Sequence, residues 1–219
     1  KVGNGSFNST IDIARDLSNS LVRVAKGAGL HCEAILTDMN QVLGKSAGHT
    51  LEILECIKYI KNDFKDHRLE KITNELISSL LVNIYKISKE EAYNKINTVI
   101  NNGLAAEKFE MMVAALGGPR NILSSFEKDL INTSVRKDVF CNKEGWIEKI
   151  HTRELGLILI ELGGGRKQVT DKIDYGVGYD NVLNIGDEVN SSTALLSLYS
   201  SKNIDDNLID KIKGCFIIS

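Results

Sequence analysis

Residues 37–55, TDMNQVLGKSAGHTLEILE, constrain this chain more than any other stretch. An apolar run closes at Ile35 and Leu36, the turn formers Asp38 and Asn40 follow, and Gly44 and Gly48 free the backbone. From Leu51 onward, apolar residues recur at Leu54, Ile57 and Ile60, which is helical spacing. The pattern is the end of a strand, a polar loop and an amphipathic helix. Such a loop turns backbone carbonyls inward, with Glu55 on the helix beside it. Carbonyl oxygens plus one carboxylate suit a hard, weakly held cation. The same residues also allow a loop whose polar groups merely satisfy one another.

The rest of the chain reads as two sections. Residues 1–118 alternate strand, loop and helix in the α/β manner. A helix over 10–26 carries Ile11, Ala14, Leu17, Leu21, Val24 and Ala25 on its inner stripe, and residues 30–36 follow as a short buried strand. Helices are expected over 48–61 and 67–85. Another starts at Ser88, whose SKEE sequence is a capping box returning Glu91, and it ends before Gly103. The last of this section runs over 104–116. Residues 119–134 read as an irregular connection with one helical turn. From Val135 the pattern changes to α+β: strands VRKDVFC, GWIEKI, DEVN and ALLSLYS, with helices over 152–162 and 205–213.

Composition narrows the function. With 219 residues, 42% of them hydrophobic, the chain can bury a substantial core, and a net charge of −2 argues for neither nucleic acid nor an anionic membrane as partner. Cys32, Cys56, Cys141 and Cys215 stand far apart without CxxC pairing, so reduced thiols in a cytoplasmic protein are expected. His31, His49, His67 and His151 show no metal-binding spacing. The Gly163-Gly164-Gly165-Arg166-Lys167 run follows a helix, where the dipole is negative, so it reads as a capped structural loop and not a phosphate cradle. Asp174 and Tyr175 anchor that loop, and Asp38 fixes the TDMN turn.

Four ordered blocks resemble the thymidine and pyrimidine-nucleoside phosphorylase family. TDMNQVLGKSAGHTLEILE is one. KVGNGSF at 1–7 is similar to the family's KVGxGAF, with Ser6 where alanine is usual; AAEKFEMMVAALGGP at 105–119 and ELGGGRKQVTDKIDYGVGY at 161–179 are the others. The wording sits nearer the thymidine branch. The resemblance implies part of a nucleoside phosphorylase-type α/β domain over 1–118, then a smaller α+β carboxy-terminal domain over 135–219. It implies reversible phosphorolysis of a pyrimidine deoxynucleoside, with phosphate as co-substrate, through an oxocarbenium-like transition state. It also implies a homodimer in the complete enzyme.

Family members are about twice as long as this chain, and the resemblance places the phosphate-binding and catalytic residues in the unmatched amino-terminal half. Alone, the chain is therefore expected not to catalyse. What the resemblance assigns here is Phe7 on the wall of the pyrimidine pocket, and a potassium-like ion held by the backbone oxygens of Leu43 and Ser46 and by the Glu55 carboxylate, together with ligands from the amino-terminal half. Ser46 stands where alanine is more usual, a harmless change if only its carbonyl is used. Other readings are a broad-specificity pyrimidine-nucleoside phosphorylase and a non-catalytic scaffold. Segment 186–198 has the rhythm of a biotinyl or lipoyl carrier, but residues 189–201 contain no lysine to carry the group.

Overall fold

A computed structural model describes residues 1–131 and 135–219. The chain is a mixed helix-and-sheet protein whose sheets, among the described residues, all lie from Val135 onward. The amino-terminal section holds α1 (Ile11–Gly27), α2 (His49–Ile60), α3 (His67–Tyr85), α4 (Lys89–Asn101), α5 (Leu104–Ala115) and α6 (Ile122–Ile131). The second section runs β1 (Val135–Phe140), β2 (Gly145–Ile150), α7 (Thr152–Leu162), β3 (Gly178–Asp180), β4 (Glu188–Val189), β5 (Ala194–Ser200), α8 (Asp206–Gly214) and β6 (Phe216–Ile218).

Helix boundaries follow local signals. Thr10, Asp66 and Asp205 cap α1, α3 and α8 with side-chain oxygens. Ser88 and Glu91 form the reciprocal capping box of α4. Gly103, at φ 81°, stands in the left-handed conformation just past the C-cap of α4 and serves as N-cap of α5.

The sheets build the core. One is ordered β1-β5-β3 and the other β4-β2-β6, with every pairing antiparallel. Val139, Ile147, Ile150, Leu155, Tyr179, Leu196, Leu198 and Ile212 meet between them and helices α7 and α8. Tyr179 is wholly buried and donates its hydroxyl to the Leu155 carbonyl at 3.2 Å, which binds β3 to α7. Burial pushes its phenol far above the ordinary range. Cys215, in the same core, is pushed up to about 11 by burial, and all four cysteines are free thiols.

Three expectations are corrected. Residues 30–36 form no strand: Leu30, Ile35 and Leu36 are exposed, and the nearest parallel pairing is one bridge, Val2 to Asp38. A buried parallel strand needs neighbours on its edges, and among the described residues of 1–118 none supplies them, so the α/β alternation is not realised there. The stripe of α1 is likewise open; Ala14 is buried, but Ile11, Leu17, Leu21 and Val24 are about half exposed or more. Finally, the connection at 119–134 is mostly the helix α6; residues 132–134 lie outside the described part. The short strands β3 and β6 were not foreseen.

Truncating Ile150, fully buried where β2 meets β6, is expected to cost about 2–5 kcal/mol. Urea unfolding of Ile150→Ala, monitored by circular dichroism, checks this; a loss under 1 kcal/mol would mean that the two sheets do not share one core.

Candidate functional site

The loop between residues 38 and 48 is where the two sections meet, and its backbone is held from every side. Val2 donates to the Thr37 carbonyl at 2.8 Å, and Gly5 to that of Met39 at 2.9 Å. Thr152, at the start of α7, donates its hydroxyl to the Asn40 carbonyl at 2.8 Å. Gln41 reaches across to accept from the Ile185 amide at 2.8 Å. Ala47 and Tyr179 exchange both backbone bonds, at 3.0 and 2.7 Å, and the Val182 amide donates to the Lys45 carbonyl at 2.9 Å. Lys45 also pairs with Asp187 at 3.7 Å.

Two glycines make that approach possible. A Cβ on Gly48, at φ 115°, would meet the Val177 carbonyl at 2.5 Å, and one on Gly178 would meet the Ala47 carbonyl at 2.7 Å. The loop and β3 therefore touch backbone to backbone.

Glu55 occupies the centre. It is nine-tenths buried on α2, and a buried carboxylate must find donors. Its Oε1 accepts the Lys45 amide at 2.8 Å, and its Oε2 accepts the Ser46 amide at 3.2 Å and a short bond from the Ser46 hydroxyl. A carboxylate has about four lone-pair directions, so Oε1 keeps one in reserve. Gly44 lies against the same carboxylate, closer than any Cβ would permit.

The carbonyls divide into two sets. Those of Val42, Lys45 and Ala47 accept from Arg68, Val182 and Tyr179. Those of Leu43, Gly44 and Ser46 accept no hydrogen bond among the described residues. Two of those three are the carbonyls expected to face a cation, and they flank the Glu55 clamp in sequence. Two oxygens without donors beside a carboxylate with capacity to spare match the donor set of a hard monovalent ion. Among the described residues, no group of three or more His, Cys, Asp or Glu side chains could hold a metal, so a site here must use backbone oxygen.

Other expected residues fall as follows. Phe7 is fully exposed and is not part of the core of this chain. The neighbouring Gly3 and Gly5 lie against Asn40, Met39 and Thr152 with no space for a Cβ; their role here is close packing on the loop. Asp38 accepts from the Asn40 amide at 3.1 Å and fixes its turn. Asp174 accepts from the Gly176 amide and the Ser201 hydroxyl. Tyr175 accepts from Thr50 through its carbonyl and meets His49 edge-on. The carboxy-terminal end of α7 is held by Lys202, which reaches the Glu161 carbonyl at 3.3 Å, not by Arg166 or Lys167.

Sequence reasoning missed Gln41 and Arg68. Arg68 could have been noticed: it stands in the first turn of α3, where the helix dipole disfavours a cation unless something else engages it. A cavity of about 1010 Å³ between α2, α3 and α4, lined mainly by apolar side chains, contains none of the expected site residues.

Comparison with known proteins gives this geometry its context. Residues 146–219 match the family described as Pyrimidine nucleoside phosphorylase C-terminal domain. Over 201 residues, 91% of the chain, the sequence is 41% identical to the thymidine phosphorylase of Colwellia psychrerythraea. Both matches bear out the resemblance to the thymidine and pyrimidine-nucleoside phosphorylase family that was read from the motifs. The alignment covers 46% of the Colwellia protein, so the chain spans about half the length of the curated relative that it matches.

Gly44 and Gly156 provide a paired test of the clamp. A methyl on Gly44 collides with the Glu55 carboxylate, whereas one on Gly156, inside α7, meets nothing within 4 Å. Gly44→Ala is expected to destabilise by about 1–3 kcal/mol, and Gly156→Ala to stabilise by about 0.5–1 kcal/mol. Urea melts of both variants decide; a neutral Gly44→Ala would mean that Glu55 does not hold the loop.

Proposed function

We propose that this chain is the carboxy-terminal portion of a thymidine phosphorylase. The reaction is reversible phosphorolysis of thymidine to thymine and 2-deoxyribose 1-phosphate. The observation that carries the reading is the 41% identity to a thymidine phosphorylase across nine-tenths of the chain. The arrangement of residues 38–55 supports it, because a loop that resembles the family is also tied by hydrogen bonds to both sections of the chain.

In this reading the chain supplies framework and one wall of the site. Phe7, free of the core, offers an aromatic face to a pyrimidine and excludes water from one side of it. The carbonyls of Leu43 and Ser46 and the Glu55 carboxylate would hold a potassium-like ion together with ligands from the remaining part of the enzyme. When bound, that ion supplies fixed positive charge that braces the loop beside the phosphate site. Glu55 orients the loop through the Lys45 and Ser46 amides, and β3 keeps the Ser46–Ala47 peptide from turning. Groups that stabilise charge on the departing base and on phosphate lie in the remaining part of the enzyme, which works as a homodimer.

A phosphate-dependent assay of thymine release from thymidine tests the proposal. The chain alone is expected to be silent. Mixed with the part of the Colwellia enzyme outside the matched region, it is expected to gain activity that requires phosphate. No activity from a mixture whose two parts are folded and associated would overturn the enzymatic reading.

A further inference from the structure

We propose that Arg68 is the positioning residue that sets the Leu43 carbonyl toward the monovalent cation. This rests on the cation reading above. The argument runs through peptide planes. A peptide unit is planar and carries its N–H and C=O on opposite sides, so one captured group fixes the whole unit. Arg68 donates Nη1 to the Val42 carbonyl at 2.8 Å, and this captures the Val42–Leu43 peptide. Glu55 accepts the Lys45 amide at 2.8 Å, and this captures the Gly44–Lys45 peptide. The Leu43–Gly44 peptide, whose carbonyl accepts no hydrogen bond among the described residues, is held between two fixed planes.

The other nitrogen of Arg68 secures the far end of the turn. Nη2 donates to the Asp38 carbonyl and carboxylate, each at 3.2 Å. One rigid guanidinium thus ties residues 38 and 42 together, a grip that a single ammonium point charge cannot reproduce. The side chain is mostly buried, with 22% of its surface exposed. It also stands in the first turn of α3, where the helix dipole opposes a positive charge. Asp66, the cap of that helix, is occupied by the Arg68 and Leu69 amides, so the compensating partners of the guanidinium are those in the loop.

Thallium(I), a stand-in for potassium that is directly visible by NMR, reads the effect without catalysis. Wild type, Arg68→Lys and Arg68→Met, each mixed with the part of the Colwellia enzyme outside the matched region that would supply the remaining ligands, are compared for thallium affinity, with potassium as competitor and circular dichroism as the check on folding. Arg68→Met is expected to weaken affinity about tenfold or more, as loss of an outer partner of a metal ligand does. Arg68→Lys, which can still donate to one carbonyl, should recover part of that loss. In cation-free buffer the backbone amide signals of Leu43, Gly44 and Lys45 should also shift in both variants. Folded variants that bind thallium like wild type overturn the role of Arg68 while leaving the cation site standing. Wild type that binds no thallium overturns the cation reading and this proposal together. Should Arg68→Met not fold, Arg68→Lys decides alone: unchanged affinity and unshifted amides refute the proposal.

Discussion

The carboxylate of Glu55 is the constraint from which the rest of the molecule can be derived. Burying a charge is costly unless donors replace water, and the donors here are successive amides of one loop plus a hydroxyl. Once those N–H groups point at Glu55, their own peptide carbonyls must point the opposite way. The Lys45 carbonyl therefore leaves the clamp toward Val182, and the reciprocal pair between Ala47 and Tyr179 follows two residues later. A side chain on α2 thereby sets how the amino-terminal section meets the carboxy-terminal core.

That core is what gives the clamp its stiffness. Val42 and Ala47 pack against the cluster containing Tyr179, Val177 and Leu196, so the loop has apolar anchors as well as polar ones. Close-packed protein interiors resist displacement. The contrast with the amino-terminal end is physical: α1 has its caps and periodicity but buries only Ala14, leaving its apolar stripe in water. Local sequence signals suffice to make a helix, whereas burial of its face requires a surface to pack on.

The same distinction explains what could be read in advance. Helices were legible because their determinants are local. The Ser88–Glu91 box and the Asp66 cap lie within a few residues of what they stabilise. Residues 30–36 failed because strand pattern reports a side-chain preference, while a strand exists only with a partner. β3 escaped notice because Gly178, which lets the loop approach, also dilutes the strand pattern. The carbonyls of Leu43 and Ser46 were named through resemblance, not chemistry: a backbone oxygen leaves no mark on residue type. Gln41 and Arg68 were invisible for a related reason, since each acts on residues far away in sequence.

Ser46 shows where reasoning from backbone alone falls short. If only its carbonyl mattered, replacing the more usual alanine by serine would be neutral. In the structure its hydroxyl donates to Glu55 Oε2, the same oxygen that receives its amide. The clamp gains a donor, and bonds to a charged acceptor are stronger than average. For the cation proposed above, the hydroxyl occupies one lone-pair direction of the carboxylate and leaves Oε1 with the open one. Under that proposal, serine at this position would trade part of the ligand strength of Glu55 for a firmer loop. The trade is workable because Arg68 and β3 already hold the neighbouring peptides from outside.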